Sequence, residues 1–138
     1  FRARTAEIEY SEHETNFTLS LMTLLGQLTR RTLVVLFTDF VDTVTVEMMV
    51  DNLGLLARRH LVVCVTLADP SLEAVGEAPP EDLFELTKSV IAGEIANDRE
   101  VVLQRLRRLG VHCIDAPAGT VSTELVDRYL EIKRRELV

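Results

Sequence analysis

Consecutive apolar residues in "TLVVLFTD" (32–39) and "HLVVCVTLADP" (60–70) constrain the fold more than any other feature of this chain. A strand with one wet face alternates apolar and polar residues. A run apolar at every position is buried on both faces, as in a parallel sheet covered by helices. The segment "VHCIDAP" (111–117) reads as a third strand of the same kind. Between the strands the apolar period changes to that of a helix. Phe17, Leu21, Leu24, Leu25 and Leu28 form one stripe, and Val46, Met49, Val50, Leu53, Leu56 and Ala57 form a second. Thr15 is a candidate N-cap for the first helix and Thr45 for the second. "SLEAVGEAPP" (71–80) reads as a loop, with Pro70 stopping the second strand. A long helical stretch then runs to Leu109, with Gly93 as a point of division and Gly110 as a C-terminal stop. Ser122 is a candidate cap for a last helix, with Leu125, Val126, Tyr129 and Leu130 expected to face inward. This order predicts an α/β domain: a partial doubly wound parallel sheet of three strands, adjacent in chain order, with flanking helices.

At 138 residues the chain is the size of one domain, and 47% apolar residues suffice for a core. The net charge of −7 and the scarcity of aromatic residues argue against nucleic-acid binding, which needs a basic face or stacking platforms. No apolar run reaches the roughly 20 residues that span a bilayer. Phe1 is not a start Met, so the chain is expected to begin inside a longer protein. Cys64 and Cys113 sit in strand-like runs without spaced His or Cys partners, and are expected to be buried, reduced thiols of a cytoplasmic chain. His60 and His112 flank strand starts, where capping or solvation is expected.

Chemistry has few places to reside. There is no Gly-rich phosphate loop and no nucleophile elbow. In open α/β sheets ligands bind beyond the carboxyl ends of the strands. Thr38, Asp39 and Asp42 occupy one such end, and Asp69 and Asp115 occupy the others. Strand-end Asp residues commonly cap turns or satisfy loop amides, and on position alone that is the reading for Asp39 as well as for Asp69 and Asp115. A Thr hydroxyl and an Asp carboxylate at one sheet edge are also hard oxygen donors suited to Mg²⁺.

"ETNFTLSLMTLL" (14–25) with "LVVLFTDFVD" (33–42) resembles the second half of a von Willebrand factor A-like domain. The resemblance implies that Thr15 and Asp39 belong to a metal-ion-dependent adhesion site. "LLARRHLVV", "LRRLGVHCIDAP" and "RYLEIKRREL" add a closer resemblance, to the C-terminal part of a bacterial branch catalogued as domain of unknown function fifty-eight. That family implies a MoxR-type AAA+ ATPase as partner and membrane segments upstream. The chain departs from the pattern in two respects. The leading Asp-x-Ser-x-Ser motif is absent, and Phe40 replaces a frequent Gly. The expected metal site is therefore partial. No cofactor is expected in these residues alone, with Mg²⁺ a property of the full-length protein.

Three functions compete. The first is a non-enzymatic interaction or adaptor domain. The second is a metal-assisted hydrolase using Asp39 and Asp42. The third is a phospho-receiver with Asp39 as acceptor, which the later strands disfavour because they carry no Lys. The first is preferred. If the first half of the resembled fold is missing, the chain (residues 1–138 as one partial domain) should expose an apolar sheet face and self-associate.

Overall fold

A computed structural model describes residues 16–38, 43–77 and 82–135. The elements are α1 (Phe17–Gln27), β1 (Leu33–Phe37), α2 (Thr43–Ala57), β2 (Leu61–Ala68), α3 (Pro70–Glu77), α4 (Leu83–Arg108), β3 (His112–Pro117) and α5 (Val121–Arg134). The three strands form one parallel sheet in the order β1-β2-β3. Leu33 pairs with Leu61, and Cys64 pairs with both Leu36 and Cys113. Paired residues of parallel strands point to the same face. Each face is therefore defined by alternate positions along β2.

On one face Val62 and Cys64 meet the buried stripe of α2 (Val46, Met49, Val50, Leu53 and Leu56), together with Leu21 of α1 and Leu106 of α4. On the other face Leu61, Val63 and Val65 meet Ile114, Ala116 and, from α5, Ile132 with Val121 and Leu125 beside it. Three helices thus share one side and one helix takes the other. Crossovers of one hand, running in one direction along the sheet, put α2 and α4 on the same side.

Four expectations need correction. Residues 70–77 are helix, not loop. Pro70 sits at the first helical position, where its missing N–H is no loss, and Asp69 Oδ1 accepts from the Ser71 amide at 2.8 Å. Gly93 does not divide α4, which runs unbroken for 26 residues from its Asp82 cap. Caps also shift along the chain. Asn16, not Thr15, caps α1, its Oδ1 accepting from the Leu19 amide at 2.9 Å. Helix α2 begins at Thr43, ahead of Thr45, and Thr120 rather than Ser122 precedes α5. Finally, α5 turns Val121, Leu125 and Ile132 inward, leaving Val126, Tyr129 and Leu130 exposed.

Gly110 behaves as expected. Its φ of 87° lies in the left-handed region. It lets the Val111 amide reach Leu106 O at 3.0 Å and its own amide reach Arg107 O at 3.1 Å. These two bonds close the end of α4 and turn the chain into β3.

Candidate functional site

The carboxyl ends of β2 and β3 meet the middle of α4 in a polar cluster. Asp115 sits near the end of β3, and its carboxylate takes both arms of Arg99: Nε reaches Oδ2 at 3.2 Å and Nη2 reaches Oδ1. The same Nη2 donates to the Leu67 carbonyl at 2.7 Å. The buried Thr66 hydroxyl donates to Asp115 Oδ1 at 2.9 Å. The ion pair is largely shielded, with side chains 18% and 27% exposed. Asp115 as a residue remains partly open to solvent, so losing one partner costs less than the roughly 3–5 kcal/mol of a fully buried pair. The cluster fastens α4 across the ends of two strands. It is a joint between helix and sheet.

Beside this joint lies a cleft of about 140 Å³ between α3 and α4, lined by Asp69, Leu72, Ile95, Ala96, Arg99 and Asp115. It falls below the range of roughly 300–1,000 Å³ usual for small-molecule sites. A few waters fill such a volume.

The residues assigned to a metal, Thr15 and Asp39, lie outside the described residues, and so does Asp42. Of the strand-end carboxylates that are described, Asp69 caps α3, as a turn-satisfying role predicts, whereas Asp115 satisfies no turn and instead holds Arg99 of α4. Neither supplies a free donor pair for Mg²⁺. Among the described residues no group of three or more His, Cys, Asp or Glu is placed to hold an ion. Among the same residues no helix is long and apolar enough to cross a membrane.

The cysteines are free. Burial pushes the Cys64 thiol up to about 12 and the half-buried Cys113 thiol up to about 11. Neither is set up as a nucleophile, which requires a lowered pKa. His60 is buried instead of solvated, and neither ring nitrogen finds a partner among the described residues. His112 is partly desolvated and lies near Arg128, and both effects lower its pKa.

Two features escaped the sequence reading. Arg99 lies in mid-helix, and nothing local marks it as the partner of a residue on a later strand. The second feature is the stretch of α4 before Arg99. It begins at Leu83, on the N-terminal side of the Arg99 joint. Helix α3 packs against α4. Leu83, Phe84, Leu86, Val90 and Ile91 are all exposed on it, Leu83 by 79% and Phe84 by 66%. Their spacing was visible in the sequence, but spacing alone does not say that they stay exposed.

No curated protein and no solved structure matches the chain. A family model described as "Protein of unknown function DUF58" matches residues 4–85. The match spans α1 to the first turn of α4, so the resembling segments "LRRLGVHCIDAP" and "RYLEIKRREL" lie beyond it. Covering more than half of the 138 residues, it shows that the chain belongs to the DUF58 family.

Proposed function

We propose that this chain is a protein-interaction domain, an adaptor that works with a MoxR-type AAA+ ATPase. One observation carries the reading: the N-terminal half of α4 leaves Leu83, Phe84, Leu86, Val90 and Ile91 exposed. Monomers seldom leave apolar patches of this kind uncovered unless they are used. The von Willebrand factor A-like resemblance of Thr15 and Asp39 supports an adhesion role, with Mg²⁺ bound in the full-length protein. The engagement of Asp115 and the raised thiol pKa values speak against an enzyme built on the described strand ends.

Fluorescence anisotropy with a purified MoxR-type ATPase from the same organism tests this. Binding should weaken at least tenfold when Leu86 and Val90 are both replaced by Asp. Both side chains are exposed, so the fold should persist, and circular dichroism can check it. Unchanged affinity in the double variant would remove α4 from the interface and overturn the reading.

A further inference from the structure

Leu83, Leu86 and Val90 stand at i, i+3 and i+7 on α4, 79%, 46% and 54% exposed. That is the spacing by which a helix lays anchors into an apolar groove. The stripe lies on the side of α4 away from buried Ala92, so α4's own packing does not use it. Its surroundings are mainly acidic. Between residues 70 and 98 the only cation is Lys88, set against Asp82, Glu85, Glu94 and Asp98 among others. Lys88 reaches over the Phe84 ring, with Nζ 4.3 Å from its centroid. The anchors are therefore apolar and their margin is acidic.

From this juxtaposition we infer that the Leu83–Leu86–Val90 stripe docks into an apolar groove whose rim carries Lys and Arg, on a partner protein. The inference rests on the reading of the chain as an interaction domain and adds the chemistry of the partner. A basic rim meets Asp82, Glu94 and Asp98 with opposite charge, which speeds encounter and fixes register. A second copy would bring acidic margins together, which costs affinity. An anionic lipid surface would be repelled for the same reason.

The test uses two synthetic amphipathic helices with the same Leu face, one flanked by Lys and one by Glu, titrated into the isotope-labelled chain. The Lys peptide should shift amide signals across residues 83–94, and its affinity should fall as salt rises. The Glu peptide should bind at least tenfold more weakly. Replacing Leu86 and Val90 by Asp should abolish the shifts. Equal binding of both peptides would overturn the inference, as would shifts confined to β1 and α5. Concentration-dependent broadening of 83–94 without peptide would do the same in favour of a second copy. Capture by phosphatidylglycerol vesicles, lost in the double variant, would do so in favour of a membrane. If the Lys peptide fails while the double variant still loses ATPase affinity, only the charge inference falls. If the variant keeps full ATPase affinity, the interaction reading itself falls.

Discussion

The side chains with unusual surroundings sit where the strands are buried on both faces. Cys64 and Cys113 are paired in register and point to the same side of the sheet. Their strand placement was legible, because an apolar run leaves a small thiol nowhere else to go. The difference between them was not, because it depends on β3 being the outer strand of the described sheet. Both thiols titrate higher in the folded chain than in the unfolded one, whose thiols titrate near 8.5. The unfolded chain therefore loses these protons first as pH rises. Their contribution to stability is complete below about pH 8.5 and is lost progressively as pH climbs towards 11–12. At pH 8 a maleimide should modify Cys113 slowly and Cys64 more slowly still, with both fast in urea. Equal, fast modification of both thiols in the native chain would contradict this placement. Buried His60 could not be foreseen, since a His between "ARR" and "LVV" looks like a solvated boundary residue. Asp69 caps a turn as a strand-end Asp is expected to, but Asp115 pairs with a distant helix side chain, which nothing near it in the sequence indicates.

Whole elements were legible wherever one periodicity dominated. The α2 stripe is buried as its spacing indicates from Val46 to Leu56, with Ala57 partly buried at its end. Helix α3 was missed because Pro70 was weighed as a strand stop and not as a first helical residue behind an Asp cap. The inward face of α5 was misassigned because the helix carries two apolar stripes. Periodicity cannot say which of them meets a sheet formed by distant residues. Glycine in α4 makes a paired prediction. Gly93 is helical and a Cβ there would meet nothing within 4 Å, so Gly93→Ala should stabilise by about 0.5–1 kcal/mol. Gly110 has a φ of 87°, so Gly110→Ala should destabilise by about 1 kcal/mol despite equal space. Urea unfolding of both variants checks the two signs. A stabilising Gly110→Ala would mean that the helix end does not need its left-handed turn.

For the molecule as a whole, the two edges of the described sheet differ. Along the outer edge of β3 runs a shallow polar groove lined by Arg107, Glu124, Asp127, Arg128 and Glu131, charges that discourage strand pairing. The β1 edge, "LVVLF", carries none. Its alternate residues Val35 and Phe37 share a face with Val63 and Val65, yet Phe37 remains 63% exposed. Helix α5 packs on β3 and β2, and its own Val126 and Tyr129 stay exposed. We propose that apolar surface on this domain is interface: the β1 side for a copy or for further chain, the α4 stripe for a basic-rimmed partner. Sedimentation velocity over a concentration series tests this most directly. The 138-residue chain should self-associate as concentration rises. Phe37→Asp should return it to a monomer, while replacing Leu86 and Val90 by Asp should leave association unchanged. A single monomeric species at every concentration, with no binding of a hydrophobic dye, would contradict the account. So would association that the α4 substitutions abolish and Phe37→Asp does not.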